Sequence, residues 1–577
     1  TCSVTATRAA DTNYNSTTSV AATVSATLAN QATLTVTGVP GTAQPYNANF
    51  TVGFAGGSGT GALTFAASGA CSNTAGGALI TMTSGTGTCS VTATRAADTN
   101  YNSTTSVAAT VTAQPAIAIV NSLPTASAII YGQMLSSSTL TGGSAAPSDG
   151  SFEWTTPTAI PLAGTQSESV IFVPADTVDY SSSAPATVNV TVNPASYIVT
   201  VSSDDSGTAS NCTPQTTPGH GTDASCSLRD ALLEAAATGG GNITFDATAF
   251  ATTKTITLTN GPLIVPSATS IAGATTGSGA SQVNLVTVDG NNASAVFSVS
   301  PSVTGASIAN LTIQHGNGGI LNFGALTLTG DSITSNTTSG GSGGAIYNSG
   351  TLTLTESTIS GNTSANMGGG INNAGTLTLS DDTMAGNSAS TMGGGIYNTA
   401  TLVVSDSTLS ANTATSRGGG IYNGSGTVAL ANSVLSGNTS NSASDDFDGT
   451  AFIDNGGNIA GVVNGSTVNG TAINLAPLAS YGGPTQTLIP LPGSPAICAG
   501  LASAIPSGLF KDQRGLPNTN ATYPNYAACV DAGAVETNYA LSFSTEPSNS
   551  QANTNFTAGV TLTESGNPFA PSVTIPL

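Results

Sequence analysis

The chain of 577 residues sets 7 Lys and Arg against 28 Asp and Glu, a net charge of −21. Only 6% of its residues are charged, against about 25% in an ordinary soluble domain. The cations are scattered, so no basic patch exists to neutralise phosphates, and nucleic acid is excluded as a partner. Hydrophobic residues still reach 39%, enough for packed cores, and the length fits roughly three to five domains. No run approaches the roughly 18–20 apolar residues that span a bilayer.

Residues 1–26 and 88–113 are identical except that Ser25 becomes Thr112. A spacing of 87 residues suits one β-sandwich, and near-identity points to tandem duplication. Residues 1–26 therefore read as the C-terminal remnant of a repeat. Alternating β-branched runs such as Ala32–Val36 and Ala186–Val192 have period two and end in Gly, Pro or Asn turns. They predict two sandwiches, 27–113 and 114–194. With Asp98-Thr99-Asn100-Tyr101 and Asp176-Thr177-Val178-Asp179-Tyr180 before their closing strands, these stretches resemble the bacterial immunoglobulin-like repeats of surface proteins and adhesins. The acids of those motifs fit either a calcium loop or a turn that satisfies backbone groups. The turn is the simpler reading.

Of seven cysteines, Cys71 with Cys89, Cys212 with Cys226 and Cys498 with Cys529 are the natural local pairs. Cys2 matches Cys89 of the repeat, which puts its expected partner before residue 1. Paired cysteines fit an oxidising, extracellular or cell-surface location. No close double pair of metal-binding type is present.

A second repeat occupies 318–440. Ile346, Ile371, Ile396 and Ile421 recur every 25 residues after Gly-rich corners, each followed by an alternation such as Leu352/Leu354 or Leu377/Leu379. A unit this short cannot bury its own apolar face, but stacked copies can. Connections rich in Thr, Ser, Gly and Asn disfavour the helix of a leucine-rich repeat. The prediction is a parallel β-helix of about nine coils and roughly 45 Å, at the strand spacing of about 4.8 Å. The fold class is thus all-β: tandem sandwiches, then a right-handed parallel β-helix with a short N-terminal capping helix.

Two Asn columns invite amide ladders: Asn348, Asn373, Asn398 and Asn423, and Asn362, Asn387, Asn412 and Asn438. A third column stacks Glu356, Asp381 and Asp406, with Asn432 next. Like charges on successive coils are unfavourable unless solvated, protonated or bridged by a cation. A solvated outer face is expected there, with a weak Ca²⁺ site as the alternative. Asp445, Asp446 and Asp448 form a second acidic cluster, read as an exposed turn or again a Ca²⁺ site. No other cofactor is implied.

The one convincing helix starts at 226–235, with Ser225 or Ser227 as its cap, Gly239 as its end, and Leu228, Leu232 and Leu233 facing the first coil. The N-terminal cap is placed at 195–242. The C-terminal cap is placed at 476–536, a Pro-rich stretch that closes the end of the stack. Residues 537–577 read as the start of a further immunoglobulin-like domain.

The segment CSLRDALLEA (226–235) resembles the CSLREA motif preceding bacterial right-handed parallel β-helices. YGGPTQTLIPLPGSPAICAG (481–500), KDQRG (511–515) and CVDAGAVE (529–536) resemble the closing signature of choice-of-anchor Q surface proteins. The coils are similar to those of polymorphic outer-membrane proteins and autotransporter passengers. Cys498 stands where that signature usually has Asp, which supports a local disulfide. The resemblance covers residues 197–536 and implies a secreted or cell-surface, often adhesin-like protein; the β-helix domain with its caps is placed at 195–536.

An enzyme reading meets missing parts. Asp381-Asp382 resembles the acidic pair of polygalacturonases, but the accompanying Asn-x-Asp, Gly-His-Gly and Arg-x-Lys motifs are absent from their expected places. His315 precedes the pair and reads as a turn residue, Arg417 is the one cation of the coils, and His220 falls in a Pro/Gly-rich loop. The expectation is a non-enzymatic structural or adhesion protein, the sandwiches forming a stalk and the β-helix a display surface. Its expected partners are glycans, host or neighbouring-cell surfaces and further domains of the same chain. Tyr347, Tyr397 and Tyr422 recur at coil spacing, as a packing column or as a ligand-facing row. A head-to-tail homopolymer is the second reading, and a polysaccharide lyase or hydrolase the third.

Overall fold

A computed structural model describes residues 1–214, 223–469, 471–519, 529–545, 559–564 and 567–568. His220 and most of the expected further domain at 537–577 lie outside the described residues. Within it, Tyr539–Thr545, Gly559–Glu564 and Asn567–Pro568 pair as antiparallel strands. The chain divides into two units, residues 1–129, 134–159 and 165–191 in one, and 130–133, 160–164 and 192–577 in the other.

In the first unit, the alternating runs form antiparallel sheets. Thr88–Arg95 pairs with Leu63–Gly69 and with Ala109–Gln114. Cys71–Asn73, Leu79–Met82 and Asn49–Thr51 make a second sheet. The Cys71–Cys89 disulfide joins the two sheets within a core of Leu34, Val52, Phe65, Ile80, Met82 and Val91. The duplicated segment keeps its geometry in both copies: Cys2 opposes Val24 as Cys89 opposes Val111. Asp98 accepts from the Asn100 and Tyr101 amides at 2.8 and 2.9 Å, and Asp11 and Asp176 make the same kind of turn. These acids satisfy backbone donors, in the manner of an Asx-turn.

In the second unit, residues 241–460 form a parallel β-solenoid of the right-handed type, about eight turns. Three long parallel sheets run its length, and a short one spans residues 337–444. In one coil, Ile346–Asn348, Thr351–Thr355, Thr358–Ser360 and Thr363–Ser364 supply a strand to each. The register follows the sequence period: Ile320, Ile346, Ile371, Ile396, Ile421 and Phe447 lie in line. These residues are fully buried and stack with Leu352, Leu377 and Leu402 into one continuous core. At the corners, a Cβ added to Gly369 would collide with the carbonyl oxygen of Gly394 on the next coil, so no other residue fits.

Among the described residues the one α-helix is Leu228–Thr238. Ser227 caps it, accepting from the Asp230 amide while Asp230 returns to the Ser227 amide, and Gly239 ends it at φ 87°. Leu228 and Leu232 join the solenoid core, but Leu233 does not: it is 44% exposed. Cys226 is tied to Cys212 beside it.

The C-terminal segment runs along one flank of the solenoid. Gly483 donates to Ala280, Gln513 reaches Ser357 and Thr383, and Gly533 donates to Asn432. Its strand-poor backbone needs donors and acceptors, and the solenoid corners provide them.

Both Asn ladders form. Asn348, Asn373, Asn398 and Asn423 link amide to amide at 2.7–3.0 Å, and Asn322 extends the row upstream. Asn362, Asn387, Asn412 and Asn438 do the same at 2.8–2.9 Å while also donating to backbone carbonyls. Replacing Asn387 by Ala would leave the Asn362 backbone amide without its acceptor and take one bond each from the Asn362 side-chain amide and the Ile359 carbonyl. Unmade buried bonds cost about 1–3 kcal/mol each, so this change is expected to lower the thermal unfolding midpoint by several degrees in calorimetry.

Candidate functional site

Two flanks of the solenoid concentrate side chains capable of chemistry or recognition. The first is the acidic column. Glu356, Asp381, Asp406 and Asn432 each occupy the left-handed backbone region, with φ of 55°, 56°, 46° and 46°, at the same corner of successive coils. This corner is not a solvated face. Asp381 is 2% and Asp406 5% exposed, because the C-terminal segment lies over them. Gln513 is the central contact: its amide donates to Ser357 O, Thr358 Oγ1 and Thr485 Oγ1 at 2.8–3.1 Å, and its oxygen accepts from Thr383 Oγ1 at 2.6 Å. Thr485 donates to Glu356 O, Asn432 bonds Leu501 in both directions, and Ala534 donates to Thr408 Oγ1.

Burial pushes the Asp381 carboxyl well above the usual carboxylate range, reinforced by Asp406, Asp512, Asp382 and Glu356. Burial raises Asp406 to about 7, opposed by the Asn432 amide at 3.0 Å. Burial and then Asp531 lift Glu536, on the overlying segment, to about 9. Oδ2 of Asp381 and Oδ2 of Asp406 have no hydrogen-bond partner.

Asp382, the other half of the sequence pair, has a different environment. It turns inward and accepts from the Ser357 and Ser380 amides at 2.8 and 2.9 Å. It belongs to a further interior row, in which Asp331, Ser357, Asp382, Ser407 and Ser433 each receive or pass an amide bond between coils. This row escaped the sequence reading because its members alternate between Ser and Asp. Their spacing, one residue after the acidic column, was the available signal.

The second acidic cluster is spent on structure. Asp446 Oδ1 ends the lower Asn ladder, accepting from Asn438 Nδ2 at 2.8 Å, and its Oδ2 accepts from the Gly461 and Val462 amides. Asp445 accepts from the Gly418 amide and Ser440 Oγ at 2.6 Å. Asp448 forms a two-point ion pair with Arg417 at 2.7 and 2.8 Å. The cluster is therefore not brought together around one point. Among the described residues, the one trio of Cys, His or acidic ligand atoms within 4.8 Å of one another is Cys498, Cys529 and Asp531. Two of its members are bonded as a disulfide.

The other flank is aromatic. Leu321, Tyr347, Asn372, Tyr397, Tyr422 and Asp448 occupy one outward register position on successive strands. Tyr397 and Tyr422 stack at 5.7 Å with 18° between planes, and Arg417 lies over Tyr422 at 5.2 Å. Phe323, 37% exposed, meets Tyr347 at 5.8 Å. Beside that pair the loop 338–342 and Asn317 wall an open cleft of about 600 Å³. His315 lies apart from this row, its Nδ1 at 2.8 Å from Asp289.

Compared with protein-family models, with curated proteins and with solved structures, the chain returns no match.

Exchanging Gln513 for Leu would strand the Thr383 hydroxyl and take one of two donors from the Ser357 carbonyl, which keeps the Thr383 amide. A loss of about 2–3 kcal/mol is expected. It should register as earlier protease cleavage within the C-terminal segment, while the solenoid strands keep their circular-dichroism signal.

Proposed function

We propose that this chain is a non-enzymatic structural and adhesion protein of the cell surface or secreted medium. The antiparallel sheets of 27–113 and 114–194 serve as immunoglobulin-like stalk domains. The Leu228–Thr238 helix caps the solenoid, and the solenoid itself is the display surface. The resemblance of CSLRDALLEA and of the 481–536 motifs to surface-protein signatures supports this reading, as do three disulfides.

The observation that carries it is the aromatic flank. A row of partly exposed rings beside Ser, Thr and Gly, with its one cation already neutralised by Asp448, suits an uncharged polyhydroxylated ligand. Apolar sugar faces stack on the rings while their hydroxyls meet the side chains at the edge. Neutral glycans are therefore the proposed partner.

Retention on immobilised neutral and acidic polysaccharides tests this, with release of products monitored in the same samples. Retention on neutral glycans alone is expected. Tyr397→Ala and Tyr422→Ala should each weaken it about tenfold or more, the effect of losing an aromatic anchor worth about 1.4 kcal/mol, at an unchanged unfolding midpoint. Product release that disappears in Asp381→Asn would instead make the protein a polysaccharide-degrading enzyme. Concentration-dependent growth of fibres without retention would favour the homopolymer.

A further inference from the structure

The acidic corner poses a problem that the glycan reading does not touch. Three carboxyls stack on consecutive coils, and the segment laid over them brings more acid. Asp381 is faced along the column by Glu356 and Asp406, by its neighbour Asp382, and by Asp512 from above. Glu536 is faced by Asp531, Asp512 and Asp406. The cations nearby do not balance these charges. Lys511 is exposed and acts on Glu356, while Arg514 is held by Asp512 at 2.8 Å and by Glu564 at 2.9 Å. Asn432 supplies Asp406 with one amide bond. Oδ2 of Asp381 and Oδ2 of Asp406 remain buried without a donor. An ionised carboxylate so placed would carry its full desolvation penalty with like charges beside it.

We propose that this corner is a proton-operated clasp: the C-terminal segment closes on the solenoid while the Asp381, Asp406 and Glu536 group holds its protons, and opens as they leave. Opening lets solvent reach the carboxylates, and protons leave to water as the charges become hydrated. Among the described residues, no three acidic, His or Cys ligand atoms converge at this corner, and in the proposed clasp protons balance the charge.

The direction of the pH effect follows from the raised affinities. Asp406 stands at about 7 and Glu536 at about 9 when closed, and both fall to the ordinary carboxylate range of about 4 when exposed. The closed form therefore binds protons that the open form releases. Clasp stability is fully present below that ordinary range and declines as pH rises through about 7 and then about 9. This is opposite to the usual acid-induced loosening of a carboxylate-paired structure.

Hydrogen exchange on the full chain between pH 6 and pH 9, corrected for the intrinsic pH dependence of exchange, provides the test. The reporters are the Gly533 and Ala534 amides, which bond to Asn432 O and Thr408 Oγ1 across the clasp. Their protection should fall by up to about tenfold per pH unit for each proton released on opening. The Ser388 amide, bonded to Asn362 O within the solenoid, should keep its protection. In Asp381→Asn/Asp406→Asn the slope at Gly533 and Ala534 should flatten. Should the double variant fail to fold, the wild-type profile decides alone. Flat protection from pH 6 to 9, or equal loss at Ser388, would overturn the proposal. So would protection at pH 9 restored by millimolar Ca²⁺, which would make the corner a cation site.

Discussion

Everything in the solenoid depends on one constraint: a polar group placed inside a stack of coils must find its partner on the next coil. A 25-residue turn with four short strands has no interior of its own, so its buried amides depend on neighbours above and below as well as on nearby carbonyls of their own coil. The Asn322–Asn423 and Asn336–Asn438 ladders meet this requirement with a single residue type, whose amide offers both a donor and an acceptor along the stack. Each Asn thereby fixes the position of the next coil to within a hydrogen bond. The apolar column of Ile and Leu provides cohesion, but hydrophobic contact alone would tolerate slippage; the amides do not.

The same constraint explains where the regular pattern stops. Asp446 receives the last Asn amide and distributes its second oxygen to Gly461 and Val462, and the antiparallel turn of Val462–Val463 with Ser466–Thr467 follows. A carboxylate accepts without donating, so in a ladder passed from side-chain amide to side-chain amide it suits the end and not the middle. Tyr347, Tyr397 and Tyr422, by contrast, occupy the outward register, where no coil-to-coil polar bond is required of them and variation between Tyr, Asn, Leu and Asp is tolerated.

Legibility in the sequence followed repetition. The coil period, the buried Ile column, the amide ladders and the capped helix could all be read, because each is a local signal or one that recurs at a fixed interval. The acidic column was also visible, yet its surroundings were misjudged as solvent. Its cover comes from Gln513 and Glu536, more than 100 residues away in the chain and without any period. Thr383 and Gln513, for example, meet over a separation of 130 residues. Leu233 shows the converse: it is adjacent to Leu232 and equally apolar, but the helix turns Leu228, Ala231, Leu232 and Ala235 inward and leaves it exposed. The interior Ser/Asp row was missed because two residue types share one role, accepting an amide from the coil beside them.

A stack of interchangeable coils has no inherent length, since adding or deleting one copy preserves every contact between neighbours. The flanking segment removes that freedom. It touches the solenoid at Ala280, again at Ser357 and Thr383, and again at Thr408 and Asn432, anchoring distinct points along the axis with residues that do not repeat. Duplicating a coil between these anchors would offset all later ones by a full strand spacing, and the non-repeating partner could not follow. The segment thus acts as a ruler, holding the number of coils constant in a fold whose own geometry would permit any.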